Sequence, residues 1–106
     1  MIRTIKQSIA RRRRFEAARV FLSHTTWSQG RESLVRRFGT EAGGAYYEEI
    51  STLMREWYLD DDASYRRTHS LDEAADRAEQ RFRSVHPEFP DDIVSQFRLR
   101  YRLSMH

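Results

Sequence analysis

The chain has 106 residues, of which 39% are hydrophobic and 33% charged, and thirteen of them are aromatic. This length predicts one small domain over residues 1–106, and the aromatic content argues against a disordered chain. The absence of cysteine excludes disulfides and Cys-ligated zinc or iron–sulfur centres. No apolar run is long enough to span a bilayer or to resemble a secretory signal. We therefore expect an intracellular, non-secreted protein of the cytoplasm or the mitochondrial matrix.

The basic residues are concentrated at the two ends of the chain. Residues 1–37 carry a net charge of +8, residues 40–92 carry −8, and residues 93–106 carry +3. Eighteen of the nineteen basic residues are arginine, whose guanidinium stays charged and matches the geometry of phosphate and carboxylate groups. The two ends are therefore the predicted binding segments. Their candidate partner- or phosphate-binding residues are Arg3, Lys6, Arg11, Arg12, Arg13, Arg14, Arg19, Arg98, Arg100 and Arg102.

The first segment, from Ile2 to about His24, contains neither Gly nor Pro and predicts a helix. Its apolar residues form two stripes on nearly opposite faces, and a helix packed on one core cannot bury both. Either residues 1–10 form a docking arm, or the helix lies between two surfaces. The segment is also Arg-rich and poor in acids, as mitochondrial presequences are. The docking stripe consists of Ile2, Ile5 and Ile9, and the second stripe of Phe15, Ala18 and Leu22.

A second helix is predicted to begin after Thr26, because Thr26 and Gln29 have the spacing of a capping box. Gly39 is the predicted stop of this helix, since glycine readily adopts the backbone conformation that ends helices. The apolar stripe between these two signals consists of Trp27, Leu34 and Phe38.

The third helix carries the strongest apolar face and is predicted to centre the core. It runs from Thr40 to about Leu59 and is weakened near its start by Gly43 and Gly44. Three aspartates at 60–62 end the helix and begin a loop over residues 60–69, because anions are unfavourable at a helix C-terminus. The core face consists of Tyr46, Ile50, Leu53, Met54 and Trp57, with Phe38, Phe82 and Phe97 packed around it.

Two more helices complete a mainly α fold, a small bundle of four to five helices. Ser70 and Glu73 form a second capping box, Pro87 ends the fourth helix, and Pro90 fits the first turn of the last. Residues 97–105 alternate apolar side chains with Arg98, Arg100, Arg102 and Ser104, so a C-terminal β-strand is the alternative to the preferred helix. The predicted apolar faces are Leu71, Ala75, Ala78, Phe82 and Val85, then Ile93, Val94, Phe97 and Tyr101.

No residue pattern predicts catalysis, a cofactor or a metal site. The four histidines are scattered, and the aspartates at 60–62 lack the spacing and glycine of a calcium loop. The carboxylates of the third helix have no nucleophile, phosphate-binding glycine loop or His–Glu motif beside them. We therefore expect a protein without enzymatic activity.

These features predict an accessory subunit that works through protein–protein interaction. It would dock its Arg-rich N-terminal helix onto a larger multi-subunit or ribonucleoprotein assembly. The alternative is a small regulator or inhibitor that binds RNA or DNA as a homodimer through its C-terminal tail, using Arg98, Arg100 and Arg102. Peripheral membrane contact is favoured less, because the isoleucine face covers only three turns. The arginines could also pair with the acidic middle of the chain itself.

Overall fold

The computed structural model describes the backbone of residues 2–58 and 69–104, and the side chains of residues 10–58 and 69–104. Over these residues the chain forms five α-helices and no strand, which confirms the mainly helical fold. No helix in this described part is both long and apolar enough to cross a membrane. The helices are α1 (Ile2–Leu22), α2 (Trp27–Phe38), α3 (Thr40–Glu56), α4 (Leu71–Val85) and α5 (Asp91–Ser104).

The helix ends follow the predicted local signals. The Oγ1 of Thr26 accepts a hydrogen bond from the backbone N–H of Gln29 at 3.3 Å. Gly39 ends α2 with a φ of 91°, a backbone conformation that residues other than glycine rarely adopt. Ser70 and Glu73 form the full capping box, since each accepts a hydrogen bond from the backbone N–H of the other. The predicted loop at 60–69 lies outside the described residues except at its last position.

The strand alternative for the C-terminal tail is wrong, because α5 continues to Ser104. The apolar residues that recur at helical spacing in α5 are buried. Leu99 and Leu103, which give the sequence its period of two, are 48% and 62% exposed. The segment is therefore helical because burying the residues at helical spacing outweighs the period-two pattern. The buried set consists of Ile93, Val94, Phe97 and Tyr101.

The chain divides into two compact units, residues 1–50 and residues 51–106, and the boundary falls within α3. In the first unit, α1 and α2 bury Phe21 and Leu34. The close packing of α3 on α2 depends on Gly43. An added Cβ at this position would lie 2.6 Å from the carbonyl oxygen of Leu34. The prediction of a single domain stays a prediction.

The second unit is built around Trp57, whose side chain is 1% exposed. Its ring centroid lies 5.4 Å from that of Phe82 and 6.3 Å from that of Phe97. Val85, predicted on the buried face of α4, is 62% exposed. It is the last residue of the helix, and the ring of His86 beyond it lies against Phe82 instead, with centroids 4.9 Å apart and tilted by 41°. The predicted core aromatics of this unit therefore meet, but the buried face of α4 ends earlier than the sequence pattern suggests.

A candidate partner-binding surface on α1

The middle of α1 contains a turn that is exposed on every side. Residues 10–13 are all exposed, and four consecutive helical positions at 100° intervals cover the whole circumference. The next residues are different, since 14–16 are half-buried and 17–18 are buried. Among the side chains of α1 that the structure describes, burial therefore begins at Arg14. We call residues 10–13 the basic turn.

The three arginines of the basic turn are unpaired in the part of the chain that the structure describes. Arg11, Arg12 and Arg13 have neither a hydrogen-bond nor an ion-pair partner among the described side chains. Three positive charges therefore fall within one helical turn, which rises about 5.4 Å, and no described carboxylate pairs with them. Such a cluster raises the local positive potential and favours an anionic partner.

Two ion pairs hold α1 immediately after the basic turn. The Nε of Arg14 donates to Oε1 of Glu49 on α3 at 2.5 Å. On α1 itself, Glu16 accepts a hydrogen bond from the guanidinium of Arg37 on α2. Both pairs are partly exposed, so each contributes modest stability. Their structural effect is to tie the packed half of the helix to both of its neighbours.

The remaining predicted residues of α1 are described only in part. Arg3 and Lys6, with the docking stripe Ile2, Ile5 and Ile9, lie on the helical backbone of α1, but their side chains are outside the described residues. The second stripe is buried at Ala18 and Leu22 and half-buried at Phe15. Arg19 is exposed and interacts within the chain.

The C-terminal arginines lie beside carboxylates of α4. Arg98 donates to Asp76 at 2.6 Å and to Glu79 at 3.5 Å, and Arg102 lies 2.9 Å from Asp72. Burial opposes the charged form of Arg98, but the hydrogen bonds and charges of the two carboxylates outweigh it and raise its pKa. For the half-buried Arg100, burial dominates and lowers the pKa. The structure therefore places Arg98 and Arg102 beside the protein's own acids.

Sequence reasoning missed an aromatic cluster in the first unit. Trp27, predicted on the stripe with Leu34, is 40% exposed, and its ring lies edge-on to Phe21 and Tyr47 at centroid distances of 5.3 and 6.2 Å. The guanidinium of Arg31 sits over the Tyr47 ring, 5.4 Å from its centroid. The contacts of Tyr47 join residues far apart in sequence, so no local pattern signalled this arrangement.

A histidine–carboxylate pair in the second unit also lacked a sequence signal. Nε2 of His86, the C-cap residue of α4, lies 2.6 Å from Oε2 of Glu56, thirty residues earlier. Its Nδ1 lies 3.7 Å from Glu88. Among the described residues there is no group of three His, Cys, Asp or Glu side chains that could hold a metal ion. The pair therefore links the end of α3 to the end of α4.

The chain matches no protein-family model, no curated protein and no solved structure. Its function is therefore inferred from the surfaces described above.

Proposed function

We propose that the protein is a non-enzymatic accessory subunit that docks through α1 onto a larger multi-subunit or ribonucleoprotein assembly. The observation that carries this proposal is the basic turn, which is exposed on every side and bears Arg11, Arg12 and Arg13 without described partners. Arginine is enriched in protein interfaces and strongly favours anionic groups. An exposed arginine cluster on a helix, without partners among the described residues, is suited to docking.

The charge of residues 1–15 and the anchoring of α1 support the same role. Residues 1–15 carry six basic residues and no acid, so no negative charge in this segment would repel an anionic surface. The ion pairs of Arg14 with Glu49 and of Glu16 with Arg37 fix the helix directly behind the basic turn. A binding element that is already helical and anchored loses less conformational entropy on association.

The alternative function, a nucleic-acid-binding homodimer that uses the C-terminal tail, has less support. It requires Arg98, Arg100 and Arg102 to face phosphate groups. Arg98 and Arg102 instead contact carboxylates of α4, and a phosphate would have to displace them. The C-terminal segment, which in its alternative strand form could have paired two copies, is a helix.

The docking proposal is tested by capture from native cells with a tagged full-length protein at moderate salt. The α1 variant replaces Arg11, Arg12 and Arg13 with Gln. A control variant removes three charges elsewhere, by replacing exposed Arg36, Arg55 and Arg77 with Gln. We expect the control to retain a stoichiometric set of partners that the α1 variant loses, with both keeping the wild-type far-UV circular dichroism spectrum. Equal retention by the two variants would refute docking through α1.

A further inference from the structure

We infer that the surface recognised by α1 is the major groove of duplex DNA, which the basic turn enters as a helix. This inference rests on the proposed docking role of α1 and specifies that the multi-subunit assembly contains duplex DNA, which α1 contacts. A helix inserted into a groove needs free space on both flanks as well as in front. Residues 10–13 satisfy this requirement, because all four are exposed and together they span the full circumference.

The angular spread of the arginines favours a groove over a flat surface. At 100° per residue, Arg11 and Arg13 lie 200° apart, with Arg12 between them. A flat acidic surface would face at most two of these side chains and leave the third in water. A groove has phosphates on two walls, so arginines on opposite sides of one helix can each reach a phosphate.

The dimensions of the helix favour the B-form groove. An α-helix with its side chains is about 10–12 Å in diameter, and the major groove of B-DNA is about 12 Å wide. The corresponding groove of duplex RNA is deep and narrow, and side chains do not read it. A helix lying in a membrane surface needs one apolar face, which the angular spread of Arg11 to Arg13 interrupts at this turn.

Two described carboxylates next to the basic turn, Glu16 and Glu49, do not oppose a phosphate backbone. Glu16 lies one turn further along α1, and Glu49 contacts the same helix from α3. Each is held by an arginine, Glu16 by Arg37 and Glu49 by Arg14. Their negative charges are therefore offset where the backbone of a duplex would pass. Contacts of this kind are made to phosphates, so we expect binding that is independent of base sequence and steeply dependent on salt.

The test measures fluorescence anisotropy of a short labelled DNA duplex with the wild-type protein, the α1 variant and the control variant. If the three arginines neutralise three phosphates, their contribution to the wild-type affinity falls about 40-fold between 50 and 200 mM salt. The salt slope of the α1 variant should be lower by about 3. The control variant should keep the wild-type slope, and an RNA duplex of the same sequence should bind at least about tenfold more weakly.

Three results would overturn the inference: no DNA binding at 50 mM salt, the same salt slope in the α1 and wild-type proteins, or equal binding of the RNA duplex. The capture experiment separates this failure from failure of the docking proposal. If the α1 variant loses partners that survive nuclease treatment, and the wild-type protein does not bind DNA, the docking role stands with a protein as the partner. If the α1 variant keeps every partner that the wild-type protein captures before nuclease treatment, the docking role itself is refuted.

Discussion

Gly43 and Gly44 are neighbours in α3, yet we expect alanine to have opposite effects at the two positions. A Cβ at Gly43 would lie 2.6 Å from the carbonyl oxygen of Leu34 and 2.7 Å from the backbone nitrogen and Cα of Val35. A Cβ at Gly44 would meet nothing within 4 Å. Both glycines are helical and neither has a positive φ, so alanine fits the backbone at both positions.

The size of the contrast follows from two opposing contributions. Replacing a glycine inside a helix by alanine stabilises the helix by about 1 kcal/mol, and at Gly44 nothing offsets this gain. At Gly43 the atoms in contact are backbone atoms of α2, which must retreat by about 0.8 Å to restore an ordinary 3.4 Å contact. Overpacking against such atoms costs about 3 kcal/mol. We therefore expect Gly43→Ala to destabilise the protein by about 2 kcal/mol, and the two variants to differ by about 3 kcal/mol.

Urea unfolding followed by far-UV circular dichroism measures this difference directly. With a denaturant dependence of about 1.5 kcal/mol per molar, the unfolding midpoints of the two variants should lie about 2 M apart. The wild-type midpoint should fall between them. Equal midpoints, or a higher midpoint for Gly43→Ala, would refute the close packing of α3 on the backbone of α2. A Gly44→Ala variant below wild type would refute the helix-propensity part of the reasoning.

Three further substitutions test individual contacts by the same unfolding measurement. Ser70→Ala removes the N-cap of α4 and should cost about 1 kcal/mol, whereas Ser84→Ala on the exposed side of that helix should cost nothing. Ser51→Ala should stabilise by about 0.5 kcal/mol, because the buried Oγ has no partner in the described part of the chain and alanine is the better helix former. Arg98→Met should cost about 1 kcal/mol through the lost bond to Asp76, and an unchanged midpoint would show that this ion pair contributes nothing.

The helix boundaries were predictable because their signals are local. Thr26, Gly39 and Ser70 act through hydrogen bonds or a backbone conformation within a few residues, so the sequence contains the whole interaction. The end of α4 before Pro87 follows from the restriction that proline imposes on the preceding residue. These signals do not depend on how helices pack.

The predictions that were wrong depended on packing between segments. Trp27 and Val85 have the periodicity of buried residues, but each lies at the end of its helix, where the pattern does not show how far the packing extends. Leu99 is exposed because α5 buries a different face, the one at helical spacing, within the second unit. Periodicity therefore identified the buried faces but did not locate their ends.

The candidate site was predictable as a set of arginines but not as a set of unpaired charges. Arg98 and Asp76 are twenty-two residues apart in sequence, and Arg14 and Glu49 are thirty-five apart. Which arginines are already paired follows only from the tertiary fold. That information separates the basic turn from the tail, although the two segments have similar composition.

The two tryptophans of the chain fall in different units and different surroundings, which gives the protein two intrinsic fluorophores with separable signals. Trp27 is 40% exposed in the first unit, so its emission should lie at longer wavelength and be quenched by acrylamide. Trp57 is enclosed by Phe82 and Tyr101 in the second unit and should emit at shorter wavelength with little quenching. Replacing either one with Phe would leave a single emitter in one unit. The order in which the two units lose their structure can then be followed optically without any added label.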